Sequence, residues 1–258
     1  MPHIMLGMIG VSGMFFFLSY KELRKRYLPW LSVILCAALG LSAFSAWREV
    51  PGEEAVSAMS WAIAGQTIIL DPGHGGEDPG KVGIGGSFEK DINLQVAIKV
   101  RSLLAQGGAA VVMTRERDNA LCEDKETLRE RKREDLTRRL NLVEEEGAGL
   151  YVTLHCNSFP QSASSGAQVF YAPGVQGSRE LALSLQQSLK ETLGNTTRLP
   201  KEDTDTYIMR NAKVPTVNVE MGFLSNAKEE QLLLNPAYQD KVAWAIYSGI
   251  VYYLAGQQ

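Results

Sequence analysis

The sequence predicts an α/β domain, a twisted and largely parallel sheet of about six strands flanked by helices, behind an N-terminal membrane segment. Three observations predict it. Beyond residue 66 short apolar runs alternate with longer stretches of helical period, the breaks between them hold Gly, Pro and Asn, and the first 47 residues are apolar around one basic cluster. With 258 residues, 45% of them hydrophobic and 21% charged, the chain has material for one substantial core and lacks the composition of a disordered protein.

Residues 4–19 form one apolar run and residues 27–47 a second, separated by Lys21-Glu22-Leu23-Arg24-Lys25-Arg26. A helix needs about twenty apolar residues to cross a bilayer, and only the second run reaches that length cleanly. The basic cluster places its own side in the cytoplasm, so everything after Trp47 is expected to be extracytoplasmic. Ala43-Phe44-Ser45-Ala46 offers small residues for signal-peptidase cleavage, which leaves membrane anchoring and secretion as two alternatives. Residues 1–47 are thus a targeting or transmembrane segment, residues 48–65, without clear period, read as a linker, and residues 66–258 as the folded domain.

Thr67-Ile68-Ile69-Leu70 reads as a buried strand running into the loop Asp71-Pro72-Gly73-His74-Gly75-Gly76. Residues 91–105 carry Ile92, Val96, Val100 and Leu103 at helical spacing and stop at Gly107-Gly108. Ala109 to Thr114 is a second strand, and residues 125–146 a charged helix whose charges read as a solvated face. Leu150-Tyr151-Val152-Thr153-Leu154 is a third strand, ending at His155; Ala167 to Tyr171 is a fourth, and Ser178 to Leu193 a helix. Pro215-Thr216-Val217-Asn218-Val219 is the last strand and ends at Glu220. Asn226 with Glu229 resembles a capping box, and Asn235-Pro236 opens the final helix through Val242, Ile246 and Ile250.

Three histidines exist in the chain, and His3 lies in the targeting segment. His74 and His155 both follow predicted strand ends, the edge at which open α/β sheets bind ligands. Glu220 has the equivalent position after the last strand, and Glu89 follows the Gly-rich loop Gly83-Ile84-Gly85-Gly86, which is able to fold over the same edge. Two imidazoles and a carboxylate are the ligand set of a catalytic zinc site with an open position for water; the remaining carboxylate then serves as general base. Zinc lowers the pKa of its water to roughly 7 and polarises the scissile carbonyl. Spacing alone does not say which glutamate binds metal and which moves protons. Cys156 as a nucleophile is the weaker reading, because it adjoins His155 and strand neighbours point to opposite faces. The three cysteines contain no C-x-x-C pair, and a formal net charge of -3 provides no overall positive field for nucleic acid.

These motifs resemble the zinc-dependent N-acetylmuramoyl-L-alanine amidases of the Amidase_3 family. Leu70-Asp71-Pro72-Gly73-His74-Gly75-Gly76 is similar to the family's first metal motif, Phe88-Glu89-Lys90-Asp91 to its second and Leu154-His155-Cys156-Asn157-Ser158 to its third. The thirteen residues from Val214 to Asn226 resemble its catalytic-glutamate segment, and Arg115, Arg139 and Asn141 also fit its pattern. The resemblance implies that His74, Glu89 and His155 hold Zn2+ and that Glu220 is the general base, acting on the amide between muramic acid and L-alanine in peptidoglycan. Asn157 and Arg210 lie near the motifs and are expected substrate contacts. Cys156 departs from the family's usual alanine, a small residue that packs alike.

A single domain behind a membrane segment, without wall-binding repeats, looks most like the sporulation amidases of cortex synthesis. That likeness implies a role in muramic δ-lactam formation, a location between the forespore membranes and a partner lipoprotein. Members autoinhibited by a plugging helix carry a long insertion before the catalytic segment, whereas residues 195–210 are short here. The rival readings are a zinc peptidase acting on the stem peptide and a non-catalytic peptidoglycan-binding scaffold.

Overall fold

The structure, a computed structural model, describes residues 53–257 apart from 124–126 and 162, together with residues 27 and 30. The expected targeting segment lies outside the described residues, save for those two. Among the described residues no helix is long and apolar enough to cross a membrane.

Six strands form one sheet in the order β2-β1-β3-β6-β4-β5. They are β1 (Thr67–Pro72), β2 (Ala110–Met113), β3 (Leu150–Asn157), β4 (Gln168–Tyr171), β5 (Lys201–Glu202) and β6 (Thr216–Phe223). Every pairing is parallel except β4 with β6. Among residues 53–257 seven α-helices are described: α1 (Glu53–Met59), α2 (Glu89–Gln106), α3 (Leu128–Glu145), α4 (Ser178–Leu193), α5 (Tyr207–Arg210), α6 (Ala227–Leu234) and α7 (Pro236–Ala255). The predicted α/β fold, with a largely parallel sheet of six strands flanked by helices, is what forms.

The strands alternate in a way that separates core from site. Ile68, Leu70, Val152, Leu154, Val217 and Val219 point to one face, where they meet the apolar sides of α2, α4 and α7 in the main core. Ile69 and Tyr151 point to the other, with Val143 of α3 and Ile208 and Met209 of α5 in a smaller cluster. Further along the same strands, that second face carries Asp71, Thr153, His155, Asn218 and Glu220. One face thus supplies the main hydrophobic stabilisation while the other carries chemistry at its carboxyl edge.

β1 lies between β2 and β3, so the chain leaves it in one direction and returns on the other side. This is the switch point at which α/β sheets open a crevice. His74 follows β1 and His155 stands two residues before the end of β3, which brings the two histidines to that crevice.

The linker assignment for residues 48–65 is corrected over residues 53–63. Residues 53–59 form α1 and Ser60–Ile63 a 3-10 turn, and both pack on α7. Val56, Ala62 and Ile63 are buried in the main core. Eleven mixed residues are too few to show a period, but burying three apolar side chains stabilises the turn that ordering them would otherwise oppose.

Candidate metal centre

The loop after β1 carries His74 with φ 65, left-handed backbone that disfavours an L side chain. Two buried arginines hold it there. Arg139 of α3 donates to the carbonyls of Pro72 and His74, while Arg115 donates to those of Pro72 and Gly73. Arg139, 1% exposed, is itself paired with Asp71 at 2.6 Å and with Asp135 at 2.7 Å. Thr114 also donates to Asp71 at 2.6 Å. Burial alone would push the Asp71 carboxyl up, but the Arg139 charge and these hydrogen bonds outweigh it and bring its pKa down to about 2. The charged helix is therefore not wholly a solvated face, as sequence suggests: Arg139 turns inward, and Lys132 and Asp135 line the cavity beside it.

Close approach explains the glycines of the loop. A Cβ on Gly73 would stand 2.1 Å from Cε1 of His155, so no larger residue fits beside that imidazole. One on Gly80 would stand 2.6 Å from both Glu89 Oε2 and His74 Cδ2.

His74, Glu89 and His155 offer ligand atoms that all lie within 4.8 Å of one another, the group of metal-ligating type found among the described residues. The imidazoles meet edge to face, their centroids 4.9 Å apart. Glu89 Oε1 lies 3.2 Å from His74 Nε2 and 2.9 Å from His155 Nδ1. The Cys156 backbone N–H also donates to Oε1 and that of Lys81 to Oε2. Asp78 accepts from His74 Nδ1 at 2.9 Å, the carboxylate-to-imidazole contact that orients a metal-binding histidine and leaves Nε2 for the ion.

Charge and spacing fit a cation. Burial opposes charge on both Glu89 and His74, yet hydrogen bonds from the two imidazoles hold the Glu89 carboxyl far below its usual range. The hydrogen bonds that His74 donates to Asp78 and Glu89, with their charges, raise its own pKa to about 9. Zinc with ligands at about 2.0–2.1 Å in a tetrahedron sets its donor atoms roughly 3.3 Å apart, close to the two distances from Glu89 Oε1 to the imidazole nitrogens, 3.2 and 2.9 Å.

Glu220 sits beside this group, in register with His155 on the neighbouring strand. Its Oε1 accepts from Asn218 Nδ2 at 3.0 Å, and its Oε2 reaches neither solvent nor a hydrogen-bond partner. Burial, with the Glu89 charge, raises its pKa against the pull of His155, Asn218 and His74. A cavity of about 350 Å³ opens over these residues, floored by the sheet and walled by α3, the His74 loop and α5.

The structure thus brings together His74, Glu89, His155 and Glu220. Asn157 and Arg210 do not line the cavity: Asn157 Oδ1 accepts from the Ser158 N–H, and Arg210 is exposed at the end of α5. Proximity to a motif along the chain did not translate into a shared surface. Cys156 faces the main core, and burial pushes its thiol well up, which removes it as a nucleophile. The Gly-rich loop before Glu89 does fold over the edge. Glu230 of α6 pins it, accepting from the backbone of Gly85 and Ser87 and from Ser87 Oγ. Sequence reasoning missed Asp78, Asn218 and Glu230; only the i−2 spacing of Asn218 from Glu220 on a strand was a readable signal.

Residues 68–252, most of the described domain, match the family of N-acetylmuramoyl-L-alanine amidases designated Amidase_3. The chain belongs to the Amidase_3 family. Over 232 residues it is 41% identical to the germination-specific N-acetylmuramoyl-L-alanine amidase of Bacillus subtilis (strain 168), covering 90% of this chain and 96% of that one. The CwlD amidase from Clostridioides difficile, solved in complex with the GerS lipoprotein, is likewise 41% identical, with a TM-score of 0.72 over 74% of this chain and 99% of that chain. The catalytic domain of CwlV, an amidase from Bacillus (Paenibacillus) polymyxa var. colistinus, is 34% identical with a TM-score of 0.64, over 73% and 98%. The Amidase_3 relationship therefore spans the sheet, both histidine loops and the Glu220 strand.

Proposed function

We propose that this Amidase_3 protein hydrolyses the amide between the muramic lactyl group and L-alanine in peptidoglycan, with zinc held by His74, Glu89 and His155 and with Glu220 as general base. The observation that carries the reading is the convergence of two imidazoles and a buried carboxylate beside a second carboxylate whose Oε2 has no partner. Zinc, when bound, polarises the scissile carbonyl and makes water a nucleophile at neutral pH. Glu220 takes a proton from the attacking water and returns it to the departing alanine nitrogen. Its raised pKa suits both halves of that transfer, since a carboxyl at its ordinary value holds a proton poorly near neutrality. Asp78 keeps the His74 ring oriented, and the arginine pair keeps its loop in place.

Digestion of purified peptidoglycan tests the reading: new L-alanine amino termini and peptide-free glycan are expected. Intact lactyl–alanine links alongside cleaved stem peptides would instead establish the zinc peptidase alternative. Glu220→Gln should keep zinc and fold while losing about 100-fold or more of the activity; undiminished turnover would remove Glu220 from its role.

The likeness to a germination-specific amidase supports a place in spore cortex maturation, as the step that bares muramic acid for δ-lactam formation, in the space between the forespore membranes. Residues 1–47 serve in this reading as the membrane tether or cleaved signal. The relative solved with a lipoprotein supports a partner of that kind here. Co-purification of the full chain from sporulating cells tests it, and recovery without any lipoprotein would count against a stable complex.

A further inference from the structure

The cavity floor carries polar atoms that the metal group does not use. Asn218 and Glu220 stand two residues apart on β6, so the pleat turns both side chains to the cavity. Asn218 is 8% exposed, and its amide nitrogen is the atom facing Glu220 Oε1, because a carboxylate acting as base only accepts. Asn218 Oδ1 is consequently directed elsewhere, and it is buried without a hydrogen-bond partner. Thr153, its register neighbour on β3, is 3% exposed and has an unpartnered Oγ1 in the same floor. Buried polar atoms in native proteins are nearly always paired, so an orphaned acceptor on a side chain that lines the cavity marks a place where a ligand brings a donor.

Resting on the amidase reading above, we infer that Asn218 touches the substrate: Nδ2 fixes Glu220 while Oδ1 accepts the N–H of the scissile amide. That amide has one N–H, on the nitrogen that departs. Glu220 delivers its proton to the same nitrogen, so an acceptor two residues away on one strand face holds the N–H while the lone pair is left for Glu220. The balance is simple: water oxygen bonds to the lactyl carbonyl carbon, the C–N bond breaks, and the nitrogen keeps its own hydrogen and gains one from Glu220. Asn218 neither gives nor takes a proton. The contact also selects amides over esters, because a site built to receive an N–H leaves its acceptor unpaired with a substrate that lacks one.

The test compares two synthetic substrates with the full chain: a muramoyl-L-alanyl peptide and its analogue with an ester oxygen in place of the alanine N–H. Asn218→Leu, similar in size and without polar atoms, should lose about 100-fold in kcat/KM on the amide but no more than about 10-fold on the ester, with zinc content unchanged. The residual loss on the ester reports the freed Glu220. Equal losses on both substrates would overturn the N–H contact and leave Asn218 a positioning residue for Glu220 alone. Should Asn218→Leu lose its cooperative thermal transition, Asn218→Ser, shorter and still polar, is compared in the same way. A zinc-loaded wild-type chain that cleaves neither substrate would instead sink the amidase reading, and this inference with it.

Discussion

His74 holds a backbone conformation that costs an L residue about 1–2 kcal/mol, and three neighbours offset that cost while aiming its ring. Asp78 accepts from Nδ1, and Arg139 and Arg115 grip the carbonyls on either side. Removing the orienting carboxylate with Asp78→Ala should weaken zinc binding about 10–100-fold while the fold persists, as read by titration against a competing chelator; unaltered affinity would deny Asp78 that role. The buried Asp71–Arg139 pair gives a pH signature. The Asp71 pKa is lowered from 3.8 to about 2, so its contribution, about 2 kcal/mol, is fully present above the unfolded value and is lost as pH falls through the folded one. Thermal unfolding of the wild type between pH 5 and 2 should show that decline; Asp71→Asn should be less stable at pH 5 and show a shallower one. Matching slopes would argue against the pair. His74, His155 and Glu220 were legible in the sequence because strand ends are. Asp78 and Asp71 were not, since their importance lies in which side chain reaches them across the fold.

At the level of elements, the helix of 20 residues that closes the chain is apolar enough to be buried along most of its length. It crosses α4 closely at Gly249, where an added Cβ would lie 2.7 Å from the Leu185 Cα. Helix propensity alone favours alanine over glycine by about 1 kcal/mol. Here Gly249→Ala should nevertheless lower the melting temperature, because backbone and not a flexible side chain must yield; a raised melting temperature would show that the helices separate cheaply. The start of α6 shows how far capping signals reach. Asn226 does cap it, accepting from the N–H groups of Lys228 and Glu229, as the sequence pattern suggests. Glu229, however, does not complete the box: its carboxylate accepts from Gly166 and Phe223 instead, tying α6 to two strand ends. The true capping box lies at Thr127 and Glu130, at the start of α3. Local residue types fix where helices begin, and distant donors decide what their acidic residues hold.

Across the whole molecule, the folded unit reaches back before the point at which sequence periodicity begins. Val56, Ala62 and Ile63 lie in the main core, and a Cβ on Gly107 would stand 2.4 Å from Ile63 Cδ1, so the N-terminal turn seats against the end of α2. A chain beginning at Gln66 should therefore be less stable than one beginning at Gly52 by about 3 kcal/mol, taking the loss of two large apolar side chains. Urea unfolding of the two forms measures the difference, and coincident midpoints would show that the turn contributes nothing.

What the sequence by itself determined about this protein is its α/β class, the order of its long elements and the placing of His74, His155 and Glu220 at the carboxyl edge of the sheet. Those follow from periods of 2 and 3.6 and from chain reversal at glycine and proline, which act over a few residues. Tertiary structure alone decided that β4 runs antiparallel to β6, that the segment before Gln66 belongs to the core, and that Arg139 serves the His74 loop instead of solvent. It also decided that Asn157 and Arg210 stay outside the cavity while Asn218 lines it. Each depends on contacts between residues far apart in the chain, whose energies have no local trace.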